Sequence, residues 1–280
     1  MSDLKQLKLV ANTLRQDLMR SLSEAKSGHS AGTLDLVEFF TALYFNILNH
    51  DPKNPKWDGR DRFVLSCGHV VPIQYCAMAT AGYFPREELM TLRKLGTRLH
   101  GHPHNLALPG IETSAGPLGQ GSSIAVGMAL AAKMDGKKHY VYCLTSDGEH
   151  NEGQMWEAWM FAAKMKLDNL IIFMDRNFIQ IDGSTEDVLP LEPLVDKLKA
   201  FNLNVIQVNG HDIPAIIAAA EEAKKSDKPS MILLNTIPGK GVSFIQGKYS
   251  WHGKAPSAVE AEAAIKELLD ERARIEKGEI

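Results

Sequence analysis

The spacing of hydrophobic positions changes along the chain, and the changes predict its elements. Residues 4–25 and 33–48 carry apolar side chains at helical spacing, among them Leu36, Phe39, Phe40, Leu43, Phe45 and Ile47. Between them SGHSAGT, rich in Gly and Ser, predicts a loop. RFVLS (62–66) predicts a short strand ending at Cys67-Gly68-His69, and helical stretches follow to about residue 95. From 96 to 122 no period is sustained, and the segment is rich in Gly, Pro and His. A structureless stretch of that length is uncommon in a compact domain unless it has a function.

From residue 123 the pattern alternates regularly. A small-residue helix (123–134) precedes an apolar strand (139–145), the loop SDGEHNEG and a helix carrying Trp156, Trp159 and Phe161. A strand (169–174), the loop RNFIQIDG, helix 190–200, strand 204–208, helix 213–225 and strand 230–235 continue the series. Continuous apolar strands alternating with helices predict the α/β class, a parallel sheet covered by helices on both faces. Residues 257–276 predict a charged surface helix. Without repeats or a low-complexity linker, residues 1–280 read as one domain.

Composition narrows the function. Of 280 residues, 44% are hydrophobic and 23% charged, which excludes a disordered chain or a coiled coil. A net charge of -3, spread along the chain, argues against nucleic acid or an anionic membrane as the main partner. No apolar run approaches the roughly 18–20 residues of a membrane span, and the first residues lack an apolar signal core. Cys67, Cys76 and Cys143 are sparse and odd in number, so they read as reduced thiols of a cytoplasmic protein.

In a parallel sheet, ligands sit outside the carboxyl ends of the strands. The loops expected there hold Asp147-Gly148 and, 30 residues on, Asn177, one strand–helix–strand unit away. A carboxylate, an amide oxygen and a nearby carbonyl make a hard, oxygen-only set suited to Mg²⁺ or Ca²⁺. Gly148 lets the backbone approach a phosphate. An isolated Asp-Gly is usually a plain turn; here NEG follows it and DRN stands thirty residues on, which favours the metal. His100, His102 and His104 alternate, and a transition-metal face is a second reading for them. His50, His139 and His211 read as structural, and Trp156, Trp159 and Phe161 as core or dimer packing.

The motifs in order resemble the N-terminal, diphosphate-binding part of transketolase, a thiamine-diphosphate enzyme. They are SGHSAGTL (27–34), RDRFVLSCGH (60–69), HGHP (100–103), ETSAGPLGQG (112–121), SDGEHNEG (146–153), DRNFIQIDG (175–183) and WHGKAP (251–256). Ser146 stands where the family usually has Gly. The resemblance implies thiamine diphosphate with Mg²⁺ as cofactors, Ca²⁺ being possible in its place. Asp147, Asn177 and the carbonyl of Ile179 would bind the metal, Gly148 would pack on the diphosphate, and backbone at Gly116 and Leu118 would hold the aminopyrimidine. His69 and His102 would face the cofactor and the donor's C1 hydroxyl, and His29 and His252 would flank its C3 hydroxyl. Glu152 would lie near the subunit interface, in a proton network between sites.

Full-length members of that family are more than twice as long, and their pyrimidine-binding and C-terminal domains have no counterpart here. The chain is thus a fragment or one component of a split enzyme. Met1 reads as a natural start and EKGEI as a natural end, which favours the split enzyme, an α2β2 assembly with a C-terminal transketolase subunit. The implied reaction is transfer of a two-carbon ketol group from a ketose phosphate to an aldose phosphate, as in the pentose phosphate pathway. Other readings are the matching part of a deoxyxylulose-phosphate synthase-like protein, the α chain of a 2-oxo-acid dehydrogenase, a transketolase for an unusual sugar, and a non-catalytic cofactor-binding module.

Overall fold

A computed structural model describes residues 3–280; Met1, read above as a natural start, lies outside the described residues. Helix α1 (Leu4–Ala25) leads to α2 (Ser30–Asp35) and α3 (Val37–Ala42), then strand β1 (Arg62–Leu65) and helix α4 (Val71–Ala81). Helix α5 (Gln120–Met134), strand β2 (Val141–Ser146), helix α6 (Gly153–Lys164) and strand β3 (Leu170–Arg176) follow. A small hairpin, β4 (Ile179–Gln180) and β5 (Gly183–Ser184), precedes α7 (Thr185–Val188) and α8 (Leu194–Ala200). Strand β6 (Asn204–Asn209), helix α9 (Ile213–Ala223), strand β7 (Ser230–Asn235) and helix α10 (Ala258–Lys277) complete the order.

The main sheet has five strands in the order β1-β2-β3-β7-β6, every pair parallel. Its side chains alternate between two apolar layers. Phe63, Leu65, Tyr142, Leu144, Ile171, Phe173, Ile232 and Leu234 pack with buried residues of α1, α3, α4 and α9. Val64, Val141, Cys143, Ile172, Met174, Met231 and Leu233 pack with those of α5, α6 and α8. A sheet buried on both faces explains why its central strands read as unbroken apolar runs rather than alternating ones. The expected doubly covered parallel sheet is what forms. All three cysteines are buried free thiols.

Departures from the predicted elements have local causes. Helix α2 starts at Ser30, inside the expected loop, because Ser30 N–H and Oγ both donate to the Lys254 carbonyl (3.3 and 2.6 Å). The apolar run 33–48 breaks at Leu36 (ψ 4°) and ends in a wide turn, Leu43–Ile47, instead of forming one helix. Helix α5 begins at Gln120, earlier than expected, after Gly119 takes a left-handed φ of 86°. Helix α8 begins only at Leu194, since Pro190 and Pro193 have no N–H to give. The charged helix α10 does lie at the surface, held by a Ser257/Glu260 capping box. It sinks Ala261, Ala264, Leu268 and Ile275, and Asn12 Nδ2 of α1 donates to the Leu268 carbonyl (2.8 Å). No helix among the described residues is long and apolar enough to cross a membrane.

Candidate active site

A cleft of about 380 Å³ opens outside the carboxyl edge of the sheet. Its walls come from the segments that the sequence singled out. His29, His69, His102 and His252 line it together with Gly116, Leu118, Asp147, Gly148, Asn177 and Ile179. These residues span more than two hundred positions of sequence and meet because the strand ends and the loop 252–254 converge there. A larger hollow beside Arg15, Glu38 and His211 measures about 560 Å³. Two of its walls are tied together: Arg15 Nη2 donates to Glu38 Oε1 (2.5 Å), and His211 Nδ1 lies 3.3 Å from Glu38 Oε2.

Three imidazoles form one corner of the cleft. The His29 and His69 ring centroids are 4.9 Å apart, those of His69 and His252 5.6 Å, and those of His29 and His252 5.8 Å. Burial pushes all three below the ordinary histidine range, His29 down to about 4, with neighbouring imidazoles and Arg93 adding to it for His29. His102 is lowered too, by burial first and by Arg93 second. The rings are therefore neutral at pH 7. Nδ1 of His29 and of His252 is buried without a hydrogen-bond partner. His102 parts company with its alternating neighbours: His100 and His104 face each other at 5.1 Å, while His102 lines the cleft. No group of three or more His, Cys, Asp or Glu placed to hold a metal occurs among the described residues, which leaves the transition-metal face without support.

Strands β2 and β3 end side by side at the cleft, Ser146 paired with Asp175 in register. Asp147 Oδ1 accepts from Gly148 N–H (2.7 Å), and Oδ2 accepts from Phe178 N–H (2.8 Å) and Arg176 Nη1 (3.2 Å). Asn177 Nδ2 donates to Asp175 Oδ2 (2.8 Å) and Asp35 Oδ2 (3.1 Å), and its Oδ1 accepts from Ile179 N–H (3.0 Å). Burial raises Asp147, outweighing the pull of Phe178 N–H and Arg176. It raises Asp175 to about 8 and Asp35 in the same direction, each also pushed up by neighbouring carboxylates. Asp147, Asn177 and Ile179 line the same cleft, and a carboxylate, an amide oxygen and a peptide carbonyl are the donor chemistry that suits a hard divalent cation. A Cβ on Gly148 would reach only ordinary contact with Gln180 (3.6 Å), so the backbone there is open to a ligand.

Several residues of the site went unnoticed in the sequence. Glu149 is fully buried and its carboxylate accepts from Gly119 N–H (2.6 Å), Ser66 Oγ (2.5 Å) and Ser146 N–H (3.2 Å). Gln154 Nε2 donates to the Leu118 carbonyl (2.9 Å), so the GPLGQG loop is pinned at two successive residues. Arg176 is 2% exposed and bonds Asp147, Thr185 Oγ1 (2.9 Å), Glu186 (2.8 Å) and Glu192 (2.9 Å), its guanidinium 3.8 Å from the Phe178 ring centre. Burial alone would lower this guanidinium, yet its carboxylate partners hold it above its ordinary value. Glu152 is not brought into the cleft: it is exposed at the N-cap of α6. His50 and His211 are held in structural hydrogen bonds, His50 to Tyr83 and the Tyr44 carbonyl. Trp159 is core, whereas Phe161 is 46% exposed.

A doubly covered parallel sheet with this cleft outside its carboxyl edge defines an α/β cofactor-binding domain. The family model "Transketolase, thiamine diphosphate binding domain" matches residues 6–271, and the chain belongs to that family. It is 47% identical over 264 residues to SqwG, the 6-deoxy-6-sulfo-D-fructose transketolase subunit of Clostridium sp. (strain MSTE9), covering 94% of this chain and 96% of the relative. It is 42% identical over 257 residues to one of the subunits of the apulose-4-phosphate transketolase of Actinobacillus succinogenes, covering 92% and 93%. Among solved structures, a transketolase from Pichia stipitis superposes with a TM-score of 0.88 at 32% identity, covering 99% of this chain and 45% of that one. A Campylobacter jejuni transketolase gives 0.85 at 32%, covering 98% and 48%. The chain therefore matches subunits over nearly their whole length and spans about half of the solved transketolases.

Proposed function

We propose that the chain, read as one diphosphate-binding domain over residues 1–280, is the N-terminal subunit of a two-chain transketolase that transfers a two-carbon ketol group between sugars. The observation that carries this reading is one cleft lined by Asp147, Asn177 and Ile179 and by His29, His69 and His252. The names of relatives as subunits support a second chain, which would supply the pyrimidine-binding half of the site in an α2β2 assembly. The same names favour a less common ketose over the pentose phosphates expected from the resemblance: one relative is named for 6-deoxy-6-sulfofructose and others for apulose 4-phosphate.

On this reading Asp147, Asn177 Oδ1 and the Ile179 carbonyl hold Mg²⁺, with Ca²⁺ an alternative of the same chemistry. Backbone at Gly148 packs on the diphosphate, and Gly116 and Leu118 hold the far ring. When bound, thiamine diphosphate supplies the electron sink for cleaving the bond beside a ketose carbonyl. The chain's own part is position and proton transfer. His69 and His102 orient the donor's C1 hydroxyl. His29 and His252, both neutral, take the C3 hydroxyl proton as the C2–C3 bond breaks and return one to the acceptor. Glu152, exposed at the start of α6, is free to join a proton network across a subunit boundary. A cytoplasmic location accords with the three free thiols.

The test is reconstitution with the product of the adjacent open reading frame, thiamine diphosphate and Mg²⁺. Xylulose 5-phosphate, 6-deoxy-6-sulfofructose and apulose 4-phosphate serve as donors and ribose 5-phosphate or glyceraldehyde 3-phosphate as acceptors. Ketol transfer only in the mixture is expected, with one of the last two donors preferred. In the Asp147→Ala variant, Mg²⁺-dependent cofactor retention should be lost while the fold persists. Two folded chains that together transfer nothing from any donor would overturn the assignment.

A further inference from the structure

Asp35 interrupts an apolar run, Leu34-Asp35-Leu36-Val37, and is completely buried. A buried carboxylate is costly unless its oxygens are bonded. Here Oδ2 accepts from Asn177 Nδ2 at 3.1 Å, while Oδ1 has no hydrogen-bond partner. The fold thus retains a side chain that destabilises it, from a helix 142 residues away in sequence, for a single bond to Asn177.

What that bond does follows from the symmetry of an amide. Asn177 can present either its oxygen or its nitrogen to the cleft by turning over, and only the oxygen ligates a cation. Both Nδ2 protons are taken by carboxyl oxygens, by Asp175 Oδ2 at 2.8 Å and by Asp35 Oδ2 at 3.1 Å. Asp175 is itself fixed by the Thr236 hydroxyl, which donates to its Oδ1 (2.5 Å) from the segment after β7. On the other side Oδ1 accepts Ile179 N–H at 3.0 Å. Turning the amide over would give up both Nδ2 contacts to the carboxyl oxygens and set an NH₂ against the Ile179 N–H in a buried site. Asp175 is covalently near and would act on any amide two residues on. Asp35 supplies the second acceptor, without which one Nδ2 proton has nowhere to go.

We propose that Asp35 is a positioning residue: with Asp175 it clamps the Asn177 amide so that Oδ1 faces the cation, which sets how tightly the metal and hence the diphosphate are held. This rests on the diphosphate-binding reading given above. It also assigns Asp35 a cost in stability, since removing it deletes a buried carboxylate oxygen that nothing satisfies.

Two readouts on the full chain separate these ideas. The first is hydrogen exchange of the Asn177 side-chain amide, followed by nuclear magnetic resonance without metal or cofactor. Protection in the parent and at least tenfold faster exchange in Asp35→Ala are expected. The second is calorimetric titration of thiamine diphosphate at graded Mg²⁺, with the partner subunit present. Asp35→Ala should raise the Mg²⁺ concentration for half-saturation about tenfold, with an apo thermal midpoint equal to or above the parent's. Asp35→Asn keeps an acceptor oxygen and should return to within about threefold of the parent; it also carries the test if the alanine variant does not fold. Parent-like Mg²⁺ dependence in Asp35→Ala, or equal impairment in the alanine and asparagine variants, overturns the clamp. So does an unprotected Asn177 amide in the parent. A protected amide in a parent that retains no cofactor with Mg²⁺ upholds the clamp and refutes the functional reading instead.

Discussion

Replacing Arg176 with methionine tests how the loops that carry Asp147 and Asn177 are held. The guanidinium is 2% exposed and joins Asp147, Thr185, Glu186 and Glu192, with the Phe178 ring against its face. Methionine keeps much of the aliphatic volume and removes the charge. Glu186 and Glu192 are 30% and 53% exposed on their side chains and can turn to water, so their share of the loss is small. Asp147 is 1% exposed and cannot. Stripping one partner from a buried pair costs about 3–5 kcal/mol. The lower end applies here because Phe178 N–H and Gly148 N–H still serve the carboxylate. A loss of about 3 kcal/mol corresponds to a fall in thermal midpoint of roughly 6–12 °C for a domain of this size.

The distinctive expectation concerns ligands. A divalent cation at Asp147 would replace the missing positive charge, so saturating Mg²⁺ and thiamine diphosphate should stabilise Arg176→Met more than the parent, by about 1–2 kcal/mol. Urea unfolding of both chains, with and without the two ligands, gives the four free energies needed. An apo variant as stable as the parent would show that the pair is worth nothing. Identical losses with and without ligands would show that Arg176 and the cation do not share Asp147.

Three further outcomes are expected. Glu149→Ala leaves Gly119 N–H, Ser66 Oγ and Ser146 N–H without their acceptor, and should weaken cofactor binding about tenfold through the loosened GPLGQG loop; calorimetry giving unchanged affinity would refute the anchoring role. His150 is buried and held near pKa 4 by burial, so the unfolded chain binds its proton first as pH falls; stability should decline from pH 6.5 towards 4, by roughly 3 kcal/mol from this residue. Urea midpoints across that range should show a shallower slope in His150→Gln, and an unchanged slope would remove His150 as a source. His252→Ala should lower the ketol-transfer rate about a hundredfold while thiamine diphosphate still binds within threefold, and a reconstituted variant with full activity would end its proposed role.

How much of this was legible in the sequence depends on how local each feature is. Strands β2, β3 and β7 are continuous apolar runs, and burial on both faces writes that pattern directly. The hairpin β4–β5 is two residues per strand and carries no period to read. Asp147, Asn177 and the four cleft histidines stood out because each sits in a compact motif of Gly and polar residues. Asp35 and Glu149 did not, because what makes them unusual is a partner far along the chain: Asn177 at 142 positions, and Ser66 at 83. Arg176 carries no such mark either, standing between Asp175 and Asn177 with its partners Thr185 and Glu186 nine and ten residues on. A trace of Asp35 was nevertheless available, as an acid inside an apolar run with no cation at helical spacing. A polar residue at a position the pattern assigns to the core is the signal that could have found it.

The histidine corner shows what burial achieves that the residues alone do not. Free imidazoles titrate near 6.5 and would be partly charged in the cell. Inside the cleft each is pushed down, so every ring keeps an unprotonated nitrogen at neutral pH. Two charges about 5 Å apart at an effective dielectric near 20 repel by about 3 kcal/mol. With centroids 4.9 to 5.8 Å apart, a proton on one ring therefore excludes protons from the other two. The cluster can accept a single proton and, being destabilised by it, readily gives it back. On the proposed function, a base that takes a hydroxyl proton and returns it within one turnover would need that combination, and three neighbouring rings would supply it.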